Sequence, residues 1–257
     1  MLNYRNTNIF FTLLLVALIA IHIAYGLPYY IYVILLFIYS LIVFWGCYYI
    51  GSGFFIRITC KAATDKKQIA ITFDDGPAAA HTPEILDVLR KADVKAAFFC
   101  IGNRIAGNEI ILQRVKEEGH IIGNHSFSHH FWFDMYSADK MIADLQRMDE
   151  AMERVTGLRP RLFRPPYGVT NPNVKKAILR GGYTPIGWSV RSMDTVTKDS
   201  RKLLAKINGA IEPGAVFLFH DTCSSTLEAL PAFIAEVKNR GYEIVPLDKL
   251  LHLRPYA

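Results

Sequence analysis

Residues 9–50 contain no Asp, Glu, Lys or Arg, and this long uncharged stretch restricts the possible fold more than any other feature. A Gly-Leu-Pro break at residues 26–28 divides it into two apolar runs, residues 9–25 and 29–50. The second run exceeds the ~20 residues that an apolar helix needs to cross a bilayer, and the first is barely long enough. Tyrosines at the break and at the far end suit membrane–water interfaces. The pattern predicts a hairpin of two transmembrane helices, called the anchor below, within residues 1–60.

A cleaved signal peptide is the alternative explanation of the first run. Against it stand the second apolar run, the single charge of Arg5 at the start, and the lack of an Ala-x-Ala cleavage pattern. The anchor is therefore the expected structure. It makes the lipid bilayer a partner of the chain, and the chain a multi-pass integral membrane protein.

Outside the anchor the charge is nearly balanced. Three of the 29 basic residues lie before Asp65, whereas all 23 acidic residues lie at or after it. The rest of the chain therefore has 26 basic and 23 acidic residues, a net charge of +3. Such a mild excess predicts no nucleic-acid partner, and no protein partner is inferred. The cysteines at positions 47, 60, 100 and 223 form no CxxC pair, so the sequence supports neither a disulfide framework nor a thiolate metal site.

Beyond a short polar linker at residues 61–68, strand and helix patterns alternate to the end of the chain. The strand-like runs are residues 69–75, 95–101, 120–123, 161–164, 184–190, 215–219 and 242–245. The helical runs are residues 82–92, 109–118, 137–155, 171–180, 200–211 and 226–240. This alternation predicts one α/β domain over residues 69–257, with a parallel sheet that is open or closed into a (β/α) barrel. In both forms the ligand site lies at the C-terminal ends of the strands.

Asp74 and Asp75 end the first of these strands, directly before a Gly-Pro turn. Because neighbours in a strand point to opposite faces, the two carboxylates should meet different surroundings. Two like charges at the mouth of a buried strand are unfavourable unless a cation or an arginine compensates them. A pair that caps the helix near Thr82 is the alternative.

His125 and His129 follow the third strand. On a helical turn, two histidines four residues apart share a face and can chelate one metal ion. The neighbouring His130 makes the local count ambiguous, and a surface histidine cluster is the alternative. A carboxylate from Asp75 would complete a set of two histidines and one carboxylate, which suits catalytic zinc and also non-haem iron.

Three more strand ends carry polar side chains. Arg164 ends the fourth strand and would be the cation that Asp74 requires, while the Pro-Pro-Tyr-Gly that follows would hold the Tyr167 amide rigidly towards a ligand. Asp194 follows the fifth strand, and His220 ends the sixth. A surface arginine and a core histidine are the alternatives, but the coincidence of such groups at successive strand ends predicts one site.

Five motifs, TFDDGP, HSFSH, RPPYG, WSVRSMD and LFHD, occur in this order over roughly residues 66–250. Their sequence and spacing resemble the polysaccharide deacetylase (NodB-homology) family, carbohydrate esterase family four. The resemblance implies a distorted (β/α) barrel of about seven parallel strands. It also implies metal-dependent hydrolysis of N-acetyl groups from amino sugars in a peptidoglycan- or chitin-like glycan. An N-acetylated glycan is then the expected substrate, and zinc the expected divalent cofactor.

The resemblance also implies a role for residues in the first three motifs. The family's metal ligands match Asp75, His125 and His129. Its general base matches Asp74, and the residue that orients this base matches Arg164.

The remaining roles fall on the third to fifth motifs. The family's general acid matches His220, and Asp194 is present to pair with it. The backbone amide of Tyr167 resembles the donor to the oxyanion, and Leu218 matches the residue that lines the pocket for the acetyl methyl group.

The fourth motif departs from the family. It usually reads Asp-x-x-Asp-Trp, but here Arg191 replaces the first Asp and Thr195 replaces the Trp. Glycan specificity is therefore less defined than the chemistry. Two other functions stay open, namely a metal-dependent amidase acting on a small amide, and a membrane-anchored glycan-binding protein without turnover.

The side of the membrane also stays open. Two spans put both ends of the chain on one side, and the basic residues that flank the spans favour the cytoplasm. These residues are Arg5, Arg57, Lys61, Lys66 and Lys67. Family members that act on wall glycans would instead need the outer side of the bacterial cell membrane.

Overall fold

The computed structural model describes residues 2–257, and its first two helices lie in the segment predicted to form the anchor. These are α1 (Tyr4–Tyr25) and α2 (Tyr30–Tyr48). Helix α1 begins before its apolar run because the Asn3 side chain accepts a hydrogen bond from the Asn6 amide and caps the helix. Its 22 residues span about 33 Å, which matches the thickness of a bilayer core. By length and composition, both helices could cross a membrane.

The rest of the chain alternates strands and helices, as predicted. The strands are β1 (Gln68–Asp74), β2 (Ala97–Cys100), β3 (Ile121–Asn124), β4 (Leu162–Phe163), β5 (Thr184–Pro185), β6 (Val190–Arg191), β7 (Val216–His220) and β8 (Glu243–Ile244). The helices are α3 (Thr82–Lys91), α4 (Glu109–Glu117), α5 (Ala138–Thr156), α6 (Pro172–Gly181), α7 (Ser200–Asn208), α8 (Ser224–Asn239) and α9 (Leu247–Leu251).

The strands pair in parallel in the order β5-β4-β3-β2-β1-β7-β6, and β8 pairs with the start of β1. The run 184–190, predicted as one strand, forms β5 against β4 and β6 against β7. Because only residues 186–189 separate β5 from β6, the two edges of the sheet are held together in a distorted (β/α) barrel. The prediction of a parallel α/β barrel is confirmed, and that of an unbroken fifth strand is wrong.

The fifth strand is interrupted because its middle carbonyls bind a side chain. Arg164 Nη2 donates to the Gly187 carbonyl at 2.8 Å, and Nε donates to the Ile186 carbonyl at 3.4 Å. A carbonyl that faces a buried guanidinium satisfies its hydrogen-bonding need outside the strand ladder. Residues 186–189 therefore bridge the two edges of the sheet without forming a strand.

Strand β1 is buried on both faces, and its alternation sets the direction of Asp74. Ile71 and Phe73 face a core covered by the helices. Ala70 faces the second core, which is built mainly from other strands. Since side chains alternate along a strand, Thr72 and Asp74 share the direction of Ala70 and point into the barrel.

The segment between the anchor and β1 lies against the barrel. Thr59 forms a parallel bridge with Ile186, and its carbonyl accepts a hydrogen bond from the Gly187 amide at 2.9 Å. The Ile58 side chain is buried. The division between anchor and catalytic domain at residue 60 stays a prediction. These contacts allow it to be tested, because their loss should lower the stability of a shortened domain.

Removing residues 1–60 is expected to leave a folded α/β domain, because the first strand begins at Gln68. A protein that begins at Arg57 should be more stable than one that begins at Lys61, since it keeps buried Ile58 and the bonds of Thr59. Burial of an isoleucine contributes about 1.5–3 kcal/mol. Thermal unfolding by circular dichroism compares the two proteins. Equal midpoints would show that residues 57–60 add nothing, and an unfolded shorter protein would place the boundary before residue 61.

Candidate active site

The polar residues predicted at five strand ends meet in one cleft at the C-terminal ends of the strands. The cleft measures about 190 Å³. It is lined by Asp74, Asp75, His125, His129, Tyr167, Gly168, Trp188, Arg191, Thr195, Leu218 and His220. Arg164 and Asp194 lie beneath this lining, where both are fully buried. All nine predicted site residues thus belong to one region.

Asp75, His125 and His129 form a cluster of three candidate metal ligands. Asp75 Oδ1 lies 3.6 Å from His125 Nε2 and 3.4 Å from His129 Nε2. One ligand atom from each residue lies within 4.8 Å of the others. Asp75 Oδ1 is buried and has no hydrogen-bond partner among the described residues. A buried carboxylate oxygen between two imidazole nitrogens fits a divalent cation.

The surroundings of His125 prepare it as a ligand. Its Nδ1 lies 2.8 Å from the Arg164 carbonyl, so this nitrogen carries the hydrogen and Nε2 offers its lone pair to the cluster. Burial, with a smaller effect of His129, lowers the pKa of His125 to about 3. The ring is therefore neutral near pH 7, which is the form that binds metal.

The two histidines do not lie on a helical turn, and that part of the prediction is wrong. They belong to a loop in which Ser126 and His129 have φ values of 68° and 43°. These left-handed residues bring the two rings to a centroid distance of 4.9 Å. Asp144 Oδ1 holds the loop by accepting a hydrogen bond from the Phe127 amide at 2.8 Å. His130 stacks on the Tyr136 ring at 5.5 Å and lies outside the cluster.

Asp74 faces Arg164 inside the barrel. Arg164 Nη1 lies 2.7 Å from Asp74 Oδ1 and 2.8 Å from Thr72 Oγ1. The guanidinium also covers the Phe99 ring at 4.1 Å. Burial raises the pKa of Asp74, and the charge of Arg164 opposes the rise only in part. The Asp74 carboxylate is therefore oriented by Arg164 and is a stronger proton acceptor than an exposed aspartate.

His220 lies beside Asp74 on the neighbouring strand, since the two are partners in the β1–β7 register. Its Nδ1 is 2.8 Å from Asp194 Oδ1. Asp194 Oδ2 accepts hydrogen bonds from the His220 amide and from Thr226 Oγ1, both at 2.6 Å. Burial lowers the pKa of His220, but the hydrogen bond and charge of Asp194 outweigh it, so this pKa lies above its ordinary value. His220 is thus favoured in the protonated form of an acid.

Tyr167 and Trp188 form the wall of the cleft near the third motif. Tyr167 has a φ of 60°, within the turn Pro166–Gly168. A Cβ on Gly168 would lie 2.5 Å from the Trp188 ring, so only glycine allows this close approach. The cleft therefore keeps an aromatic wall although Thr195 stands where the family motif has Trp.

Several supporting residues were missed from the sequence. Asp144 holds the histidine loop, and Asp149 accepts hydrogen bonds from Asn124 at 2.7 Å and from Tyr183 at 2.6 Å. Both aspartates lie on the buried face of α5. Charged residues at apolar positions of an amphipathic helix are unusual, and this signal could have indicated them. Thr226 on α8 carried no comparable signal.

Comparison with known proteins agrees with this arrangement. A family model described as polysaccharide deacetylase matches residues 61–186. The peptidoglycan-N-acetylglucosamine deacetylase PgdA of Listeria monocytogenes is 34% identical over 202 residues, which cover 79% of this chain and 42% of PgdA. This chain therefore spans less than half the length of that relative.

Two other proteins match over most of their own length. The peptidoglycan-N-acetylmuramic acid deacetylase PdaA of Bacillus subtilis is 33% identical over 216 residues, covering 82% of this chain and 78% of PdaA. The crystal structure of the peptidoglycan N-acetylglucosamine deacetylase Bc1960 superposes with a TM-score of 0.74 at 29% identity, covering 78% of this chain and 95% of that one. The chain therefore belongs to the polysaccharide deacetylase family, carbohydrate esterase family 4.

Proposed function

We propose that the chain hydrolyses N-acetyl groups from amino sugars of a peptidoglycan-like glycan, with the help of a divalent metal ion. The names of PgdA, PdaA and Bc1960 support this substrate class. One observation carries the proposal. A buried base–arginine pair, an acid–carboxylate pair and a cluster of three metal ligands meet in a single cleft.

Asp75, His125 and His129 are the residues that would hold the metal ion. Zinc is the expected ion, because two imidazoles and one carboxylate with an open position are typical of catalytic zinc. When bound, such an ion supplies Lewis acidity, which lowers the pKa of water and polarises an amide carbonyl.

The side chains around the cluster divide the proton transfers. Asp74, oriented by Arg164, would accept the proton of the attacking water. The Tyr167 backbone amide would donate a hydrogen bond to the oxyanion that develops on the acetyl oxygen. His220, held by Asp194, would protonate the leaving amine nitrogen, which cannot depart as an anion. Leu218 would contact the acetyl methyl group.

The size of the cleft supports a substituent on a polymer as the substrate. Its volume of about 190 Å³ is smaller than the ~300–1,000 Å³ of sites that enclose a whole small ligand. An acetamido group and part of one sugar ring would fill it, and the rest of a glycan would lie outside.

Acetate release tests this function directly. Purified full-length protein in detergent, loaded with zinc, is incubated with N-acetylglucosamine oligomers, with peptidoglycan and with small N-acetyl amides. Release from the glycans above release from the small amides is the expected result. Turnover of the small amides alone would favour the amidase alternative. Glycan binding without acetate release would identify a binding protein.

The reaction rate should depend on pH as a bell-shaped curve. It rises as Asp74 loses its proton and falls as His220 loses its own. Burial lowers the pKa of His220, and the hydrogen bond and charge of Asp194 raise it. Asp194→Asn removes that charge, so the pKa of His220 should fall and the alkaline limb should move to lower pH. His220→Ala should abolish this limb. The measurement is acetate release across pH, and an unmoved limb in folded Asp194→Asn would assign the alkaline pKa to another group.

The proposal includes the membrane anchor formed by α1 and α2. Its support is the length, the apolar composition and the exposure of both helices. A reporter fused to the C-terminus decides the side. Phosphatase activity would place the catalytic domain outside, with the wall glycan, whereas cytoplasmic fluorescence would place it inside and restrict its substrate to glycan precursors.

A further inference from the structure

Three large exposed apolar side chains of the catalytic domain lie within five consecutive residues of one loop. Phe131, Trp132 and Met135 are 67%, 58% and 71% exposed, and the segment that contains them is called the 131–135 loop. Phe133, between them, is buried against α5 and α6 and fixes the loop to the barrel. Clustered exposed aromatic side chains on a rigid support indicate a contact surface.

Hydrogen bonds place this loop beside the end of the anchor. The Thr170 amide donates to the Cys47 carbonyl at 3.0 Å, and Thr170 Oγ1 donates to the Gly46 carbonyl at 3.3 Å. The next residue, Asn171, donates through Nδ2 to the Asp134 carbonyl at 2.6 Å. Two consecutive residues thus hold the last turn of α2 on one side and the 131–135 loop on the other.

The last turn of α2 is where the helix would leave the bilayer. It exposes Trp45 and Tyr48, and aromatic residues of this kind settle at the membrane–water interface. Thr170 binds Cys47, which lies between these two residues, and Asn171 binds the 131–135 loop. The loop is therefore held near the level at which α2 would leave the bilayer. Lys140, at 3.6 Å from the Tyr136 ring, adds a cation next to the loop.

We propose that Phe131, Trp132 and Met135 insert into the interfacial region of the phospholipid bilayer, so that the catalytic domain rests on the membrane beside α2. Interfacial binding combines buried apolar area with basic residues near the headgroups. The loop supplies the apolar side chains, together with the acidic Asp134, and Lys140 on the adjoining helix α5 supplies a cation. The inference rests on the proposed anchor and is independent of the proposed chemistry.

A glycan is the competing partner for an aromatic surface. Phe131 meets the Tyr167 ring of the cleft wall edge-on, at a centroid distance of 6.2 Å, but no residue of the 131–135 loop belongs to the described lining of the cleft. Met135, moreover, has no flat ring on which a sugar could stack. The position of the loop beside the end of α2 therefore favours lipid as its partner. The experiment below distinguishes binding of lipid from binding of a glycan.

The chain has three tryptophans, and each can report by its fluorescence on a different part of the structure. Trp45 lies in α2, Trp132 in the 131–135 loop and Trp188 in the wall of the cleft. Three full-length proteins, each keeping one tryptophan with the other two replaced by Phe, are reconstituted into vesicles of phosphatidylcholine and phosphatidylglycerol. Lipids brominated near the headgroup end of the acyl chains quench only those tryptophans that they touch.

The inference expects Trp132 to lose as much fluorescence as Trp45, with blue-shifted emission, while Trp188 is unaffected. Quenching of Trp45 without quenching of Trp132 overturns the inference, and a response of Trp132 to N-acetylglucosamine oligomers would then identify a glycan surface. An unquenched Trp45 overturns the anchor and the inference together. The difference between the native chain and Trp132→Phe yields the same signal if a doubly substituted protein fails to fold. None of these readouts requires turnover, so a failed deacetylase assay remains a separate result.

Discussion

Metal-loaded Asp74→Asn protein is expected to release acetate about 10²–10⁴-fold more slowly than the unsubstituted protein, which is the usual effect of losing a general base or acid. Asparagine keeps the size of Asp74 and an oxygen for Arg164 Nη1, but it cannot accept the proton of water. Metal content should not change, because Asp75 and not Asp74 is the proposed ligand. The measurement is kcat from acetate release, with the metal determined on the same sample.

Two controls separate chemistry from stability. Asp74 and Arg164 are both buried, and breaking a buried ion pair costs about 3–5 kcal/mol, so the assay temperature must lie below the measured unfolding transition. Asp87→Asn removes an aspartate that pairs with Arg114 away from the cleft, and it should leave kcat unchanged. Near-normal turnover by folded, metal-loaded Asp74→Asn would refute the assigned base.

His129→Ala should abolish stoichiometric metal binding. The unsubstituted protein is expected to carry about one divalent ion per chain, and a site with only Asp75 and His125 left lacks the three protein ligands of a catalytic zinc site. Metal analysis after dialysis against metal-free buffer measures this without an activity assay. The expected activity loss follows the loss of metal.

His130→Ala is the matched control, because it removes an adjacent histidine that lies outside the cluster. This variant should keep its metal. Full metal content in His129→Ala, or an equal loss in His130→Ala, would show that the ion is held elsewhere.

The alternation of apolar runs predicted the barrel, but its closure could not be predicted. Periodicity reports which face of a segment is buried, and in residues 184–190 it gave one continuous strand. The break between β5 and β6 depends on the guanidinium of Arg164, which follows β4 directly and lies more than twenty residues earlier in the chain. Arg164 donates hydrogen bonds to the Ile186 and Gly187 carbonyls. A tertiary contact of this kind leaves no trace in local periodicity.

The composition of the site was more predictable than its local geometry. Parallel strands bring their C-terminal ends to one edge, so the sequence alone predicts that polar residues after successive strands lie together. The sequence groups the histidine pair correctly but predicts a helical turn for it, because the spacing of His125 and His129 is also that of a helix. The left-handed residues Ser126 and His129 create the same proximity in a loop. Non-glycine residues of this kind are hard to recognise from sequence.

Arg164 both orients the proposed base Asp74 and holds the segment that closes the barrel. One side chain binds Asp74 and Thr72, and it also binds the Ile186 and Gly187 carbonyls that close the barrel. Lysine has a single ammonium group and cannot reproduce this fork. We therefore expect a lineage that gave up deacetylation to keep the arginine for its contacts with the Ile186 and Gly187 carbonyls. In genome surveys, retention of this arginine is therefore a poor marker of an active enzyme, whereas retention of Asp75 and His129 is an informative one.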